Sequence, residues 1–358
     1  MILTAKHHDG FCLWPSAVTT HSVKSSPWRN GQGDVVREFV DAARAEGIQP
    51  GVYLSPWDRH EPSYGNSPRY NDFYCAQLTE LLTRYGPLVE IWFDGANGEG
   101  PNGRRQQYDW DRYHRLVRRH QPQALIFSDA GPDLRWVGNE DGAAGDPNWC
   151  PVDPAVVPVP GASGDAVTAE LQHGDPRGSV WRPGEADVSI RPGWFWHPAE
   201  DGKIKTPDQL LDLYRSSVGR NAGLLLNVPP NRAGLLAEGD VASLSAFGAL
   251  RHRWFGENLA AGATLNATPT RVSLQLRTLE TFDVIVIRES IAHGQRVEGF
   301  TVEGDEGSRW RPIAAGTTIG AKRIIKIAPY TTDGVRIGLE SALGVPRISE
   351  VALYRSPG

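Results

Sequence analysis

The apolar run Leu88-Val89-Glu90-Ile91-Trp92-Phe93 ends in Asp94-Gly95, a carboxylate at the point where a buried strand must give way to a turn. Strand side chains alternate faces, so Glu90, Trp92 and Asp94 share one side while Val89, Ile91 and Phe93 share the other. A wall of Val, Ile and Phe suits covering helices. The acid beside Trp92 then stands at the C-terminal end of a strand, where barrel enzymes keep their chemistry. Taken alone, Asp-Gly also serves as a plain turn. A second acid has the same setting: Arg135-Trp136-Val137-Gly138-Asn139-Glu140 is a short strand-like piece followed by a carboxyl. Two strand-end carboxyls from different strands are the minimum equipment for breaking a glycosidic bond, one ionised as nucleophile and one protonated as acid. The competing reading of Glu140 is a loop acid paired with Arg135.

Other polar residues fall at similar places. His7-His8-Asp9-Gly10-Phe11 closes the first strand. Paired histidines invite a metal, but zinc needs three or four ligands, and adjacent strand residues are expected to point to opposite faces. Imidazoles that donate and accept hydrogen bonds suit a hydroxyl-rich ligand better. Glu185 is a rival acid. It opens an alternating segment that ends in Arg191-Pro192-Gly193-Trp194-Phe195-Trp196, which reads either as an exposed aromatic platform beside Arg191 or as a buried loop core. The 12 Trp, 10 Tyr and 10 Phe agree with stacking on the apolar faces of sugars, although cores collect the same residues.

The elements that must carry these residues alternate between strand and helix. Asp34–Ala45 has helical spacing with Asp34 as N-cap and Gly47 as stop. A strand over 48–55 follows, then a helix over about 71–85, the Asp94 strand, a helix over 110–120 and a strand over 124–128. Thr206-Pro207-Asp208-Gln209 is a capping-box helix start leading into the strand 223–228. The Pro- and Gly-rich stretch 155–166 reads as a surface loop. Repeated βα units imply a parallel sheet and a (β/α)8-like barrel. About seven strands can be counted, one short of closure, and the chain starts inside a strand. A further βα unit is therefore expected upstream. Beyond residue 258 the texture changes to short β-branched runs between turns, the pattern of an antiparallel β-sandwich. The expected domains are residues 1–257 and 258–358.

A net charge of −5 gives no electrostatic footprint for nucleic acid. No apolar stretch reaches the length of a membrane span. Three widely spaced cysteines form neither a metal motif nor a disulfide framework, and with no signal peptide in the sequence the compartment is left open.

In combination these segments resemble the α-L-fucosidases of glycoside hydrolase family twenty-nine. The likeness runs from residue 1 almost to the end. It is carried by Leu3 to Phe11 with Trp14-Pro15-Ser16, Gly51 to Ser55, Ile91 to Gly95, Trp136 to Glu140, Glu185 to Trp196, Gly223 to Pro230, Gly294 to Val297 and Gly320 to Arg323. The Gly138-Asn139-Glu140 element is similar to that of the subfamily favouring α-1,3/1,4-linked fucose.

The resemblance implies an exo-acting, retaining double displacement on a fucosylated glycan, with no metal or organic cofactor. Asp94 would be the nucleophile and Glu140 the acid/base, with Glu185 the alternative for that second role. His7 and His8 would hold fucose hydroxyls, with Tyr53, Trp92 and Arg135 lining the pocket and Trp194 near the sugar's methyl side. Trp14 and Glu185 complete the expected substrate-binding set. The family also uses residues, another His among them, upstream of His7-His8. A barrel without its first strand would have an unpaired edge, so the alternative to an enzyme is a fucose-binding protein with weak or no turnover.

Overall fold

A computed structural model describes residues 1–357. The first part of the chain builds β1 (Ile2–Lys6), α1 (Val35–Ala45), β2 (Gly51–Leu54), α2 (Ser67–Arg84), β3 (Glu90–Trp92), α3 (Trp110–His120), β4 (Leu125–Ser128) and β5 (Leu134–Trp136). A two-stranded ribbon, β6 (Pro151–Val152) and β7 (Val180–Trp181), flanks α4 (Asp165–His173). Then come β8 (Gly184–Ser189), α5 (Pro207–Ser216), β9 (Ala222–Asn227) and α6 (Glu238–Phe255). The parallel sheet has seven strands in the order β1-β2-β3-β4-β5-β8-β9, the topology of a (β/α)8-like barrel.

By internal packing the chain divides into two compact units, residues 1–135 with 154–167, and residues 136–153 with 168–358. In the first, each helix sits where its sequence stops it. Asp34 accepts from the Arg37 N–H to cap α1, and Gly47 (φ +71°) follows its last turn. Val36 and Val40 of α1, Tyr74, Leu78 and Leu81 of α2, and Tyr113 and Val117 of α3 are buried in one core with Val52, Leu54, Ile91, Phe93 and Ile126. Ile91 and Phe93 therefore do face the helices. The Arg-rich side of α3 is wet: Arg112 pairs with Asp72, and Arg118 with Asp133.

The second unit contains β8, β9 and the antiparallel domain. Thr206 and Gln209 form the reciprocal capping box of α5. Strands β10 (Thr264–Thr268), β11 (Arg271–Glu289), β12 (Val297–Asp305), β13 (Trp310–Gly316), β14 (Arg323–Ala342) and β15 (Ile348–Tyr354) make one hydrogen-bonded sheet. Two of them are long enough to serve both layers of the sandwich. Residues 271–275 of β11 pair with β10 and with 334–338 of β14, whereas 284–287 pair with 323–326 of β14 and with β15. Register shifts lie between these halves. Val272, Leu274, Val335 and Ile337 of one half share a core with Ile285, Ile287, Val351 and Leu353 of the other. The outer face of the second half packs Val284, Val286, Ile324 and Ala352 against Tyr214 of α5 and Trp254 and Phe255 of α6.

Three boundaries differ from expectation. The stretch 155–166 is the expected surface loop as far as Gly164, with Val157 buried, and Asp165 opens α4. The strand over 48–55 is shorter, and helix α2 starts one turn before residue 71. Helix α6 shows no clean apolar stripe because it meets α5 on one side and the sandwich on another, as the contacts of Phe247 with Tyr214 and of Phe255 with Tyr354 show.

Candidate active site

The first unit carries the nucleophile candidate. Asp94 follows β3 and is half-buried; its Oδ1 accepts the Ala96 N–H (2.7 Å), which fixes the turn. The Tyr53 hydroxyl donates to Oδ2 at 2.7 Å. Burial, and then Asp94 itself, push the Tyr53 phenol well above its usual range, so the proton stays on Tyr53. The carboxylate is thus fixed by two donors while about a quarter of its surface stays open.

The histidines are arranged differently from expectation. They lie past the end of β1, where strand alternation no longer applies, and their rings stand together with centroids 3.9 Å apart. His7 also stacks on Tyr53, and His8 leans on Trp57. Burial, followed by the neighbouring His7, lowers His8 to about 4, and burial lowers His7 as well, so both rings are neutral at pH 7. Ser55 Oγ donates to the Trp57 carbonyl (2.7 Å), so it accepts from His8 Nδ1–H at 2.7 Å. That network assigns the tautomer. His8 Nε2 then presents a lone pair 3.8 Å from Asp94 Oδ2, able to accept a hydroxyl proton but not to donate to the carboxylate.

Beneath this turn, Lys6 of β1 is wholly buried and bonds Asp58 Oδ2 and Gln77 Oε1. Burial would raise Asp58, but Lys6 and the backbone N–H groups of Glu61 and His60 outweigh it and hold the carboxyl below its usual range. Gly10 (φ +77°) closes the His7–Gly10 turn against Asp58; a Cβ there would lie 2.4 Å from Oδ1. Trp92 stacks on Phe127 (4.2 Å) and leans on Tyr53, giving the floor an aromatic surface. Arg135 is buried within β5.

The second unit carries the acid candidate. Glu140 is exposed on the turn after β5, and its Oε2 accepts the Trp194 indole N–H at 3.3 Å. Asn139 fixes that turn by donating to the Ala143 carbonyl and accepting from the Asp141 N–H. Trp194 is itself held by the strand ends: Asn227 of β9 donates to the Trp194 carbonyl and to Ser189 Oγ, and Ser189 of β8 donates to the Gly193 carbonyl. Arg191 anchors the base of the same loop through a buried pair with Asp240 and a second contact to Asp201. It is a brace rather than part of an exposed platform. Phe195 is exposed, while Trp194 and Trp196 are half-buried.

Two expected site residues stand elsewhere. Trp14 is wholly buried, its indole donating to Glu80 Oε2 (2.7 Å) within the α1–α2 core, so it has no ring face for a sugar. Glu185 lies near the start of β8, four residues before the rim at Ser189, and is nearly buried. All six residues of β8 are buried, so the alternation in its sequence does not mark a wet face.

Two carboxylates escaped the sequence reading. Asp187, one strand repeat nearer the rim than Glu185, accepts the Trp136 indole N–H at 2.6 Å. Burial, with smaller contributions from Glu140 and Glu185, pushes it up to about 7. Asp129 follows β4 as Asp94 follows β3; it accepts the Gly161 N–H (2.9 Å), and burial raises it to about 6, with Asp94 adding to the rise. The signal for Asp129 was its register, two residues past Phe127, which pairs with Trp92. Among the described residues no three His, Cys, Asp or Glu side chains stand close enough to share a metal ion.

The chain matches the α-L-fucosidase family model over residues 1–146. It is 42% identical over 388 residues to alpha-L-fucosidase 1 of Arabidopsis thaliana, an alignment covering 99% of this chain and 75% of that protein. A crystal structure of a glycoside hydrolase 29 family member from an unknown rumen bacterium superposes with a TM-score of 0.92 at 38% identity, covering 100% of this chain and 66% of the other. A family 29 fucosidase of Ruminococcus gnavus, solved in complex with fucose, gives a TM-score of 0.87 at 32% identity, covering 99% and 82%. The chain thus spans about three quarters of the plant relative and just under two thirds of the rumen one. These likenesses show that the chain belongs to the α-L-fucosidase family, glycoside hydrolase family 29.

Proposed function

We propose that the chain is an exo-acting, retaining α-L-fucosidase that releases terminal α-1,3/1,4-linked L-fucose from glycans by double displacement. The observation that carries this reading is the Asp94 carboxylate, fixed by the Tyr53 hydroxyl and the Ala96 N–H and still open to a ligand. In the first step an Asp94 oxygen forms a bond to the anomeric carbon as the glycosidic C–O bond breaks. Glu140 passes its proton to the leaving oxygen. In the second, Glu140 takes a proton from water, water attacks the same carbon, and Asp94 leaves as carboxylate. Neutral His8 accepts a fucose hydroxyl at Nε2, His7 binds beside it, Trp92 and Arg135 line the pocket, and Trp194 flanks the sugar while orienting Glu140. The linkage preference rests on the Gly138-Asn139-Glu140 element. The open, solvent-accessible position of Glu140 supports its assignment over buried Glu185.

The deciding experiment uses Asp94→Ala on an activated aryl α-L-fucoside. Turnover should fall by at least about 10⁴-fold, and azide should restore it as fucosyl azide. Undiminished turnover would end the nucleophile assignment. Calorimetry with fucose on the unmodified chain, run beside the assay, covers the other reading: binding without turnover would make this a fucose-binding protein.

A further inference from the structure

We propose that Asp129 acts through Asp94, as a second fixed negative charge beside the nucleophile that favours its attack on the sugar. The inference rests on the assignment of Asp94 above. Strands β3 and β4 are paired in parallel with Trp92 opposite Phe127, and the Phe93 N–H continues the ladder to the Phe127 carbonyl at 3.0 Å. Two residues further on, Asp94 and Asp129 stand at the same level on neighbouring strands. The contact is close. A Cβ added to Gly95 would lie 2.2 Å from Asp129 Oδ2 and 2.9 Å from Gly161 N, and one added to Gly161 (φ +80°) would lie 2.6 Å from the Gly95 carbonyl oxygen. The turn that holds the nucleophile therefore presses on the Asp129 carboxylate with no side chain between them, and Gly161 donates to the same oxygen, Oδ2.

A carboxylate placed so close to another is costly to keep, and the backbone N–H groups it accepts from, those of Gly161 and of Asp129 itself, would be satisfied equally well by an amide oxygen. Its charge is what a neutral side chain could not supply. Burial and Asp94 bring Asp129 to about 6, so its carboxyl is ionised at pH 7. When Asp94 attacks, it becomes a neutral ester and its repulsion with Asp129 is relieved. In the transition states of both steps the sugar carries oxocarbenium character, which a second nearby anion stabilises. No atom of Asp129 is consumed or transferred.

Asp129→Asn separates charge from structure, since its amide oxygen keeps the acceptor for Gly161 while the charge is lost; Asp129→Ala loses both. On an activated aryl fucoside, Asp129→Asn should lower kcat about 10- to 100-fold with KM within threefold, with Tm within a few degrees of the parent. Asp129→Ala should be no better. Parental kcat in Asp129→Asn, with or without damage in Asp129→Ala, would reduce the residue to a loop latch and overturn the inference. So would a rise in KM at constant kcat, the mark of a ligand contact. Asp94→Ala with azide tests the underlying assignment separately: loss there beside parental activity in Asp129→Asn would sink this proposal alone.

Discussion

The two acids of the proposed reaction live in unlike surroundings. Asp94 is gripped: a backbone N–H holds one oxygen, a phenol that keeps its proton holds the other, and a second carboxylate stands on the next strand. Glu140 is exposed, on a turn tied down by Asn139, with a single 3.3 Å contact to an indole. The difference follows from their duties. A nucleophile has to stay ionised and keep its aim, which dense donors provide. An acid/base must give up a proton and regain one in every turnover, and too firm a grip on the carboxylate would hinder both.

The comparison can be broken at either end. After Asp94→Ala, the largest effect is expected at the loose end: Glu140→Ala should cost about 10²–10⁴-fold on fucosides with poor leaving groups and far less on activated ones. Equal loss on both substrates would remove Glu140 from the acid/base role. Next is the support under Trp136. The carboxyl of Asp187 is raised in the folded state to about 7 against an ordinary value near 4, so the folded protein binds the extra proton and stability declines as pH climbs between those values. Asp187→Asn keeps the acceptor for Trp136 and removes that decline. Its advantage over the parent in chemical denaturation should grow to about 4 kcal/mol at pH 8 and fall below about 1 kcal/mol at pH 4; a constant difference at both pH values would contradict it.

At the tight end, Tyr53→Phe removes one hydrogen bond to a charged group, worth about 1.5–3 kcal/mol, so kcat should fall about 10- to 100-fold. If the fall is below twofold, the phenol is not what aims Asp94. The smallest change is expected from Trp194→Phe, which keeps a ring and deletes the N–H to Glu140. A loss of two- to fivefold, confined to poor leaving groups, fits one long contact at an exposed carboxylate. A larger loss would mean that Glu140 is less free than its exposure implies.

What the sequence disclosed, and what it hid, follows the reach of each interaction. Asp94, the caps at Asp34 and Thr206, and the inward face of β3 depend on neighbours a few residues away, so pattern alone located them. Trp14 did not reveal its role because its partner, Glu80, is 66 residues distant on α2. Asp129 and Asp187 were passed over because a carboxyl's importance lies in its surroundings: one is set by β3 and the Gly161 loop, the other by Trp136. The histidine pair misled because alternation was carried two residues beyond the strand. Helix α6 was missed because it is apolar on several sides.

The three amides Asn148, Asn221 and Gln295 deserve a last thought for anyone who would trim this protein. Gln295 donates to the Asn148 carbonyl and accepts from Cys150 N–H and Asn221 Nδ2, all out of water, and Arg323 clasps Asp146 with both terminal nitrogens. Cutting the gene after the last barrel helix would strip these groups of their mates and bare the greasy flank of Tyr214, Trp254 and Phe255. The shortened product should emerge as inclusion bodies, so a swap of modules would have to carry the β-rich end along with its host.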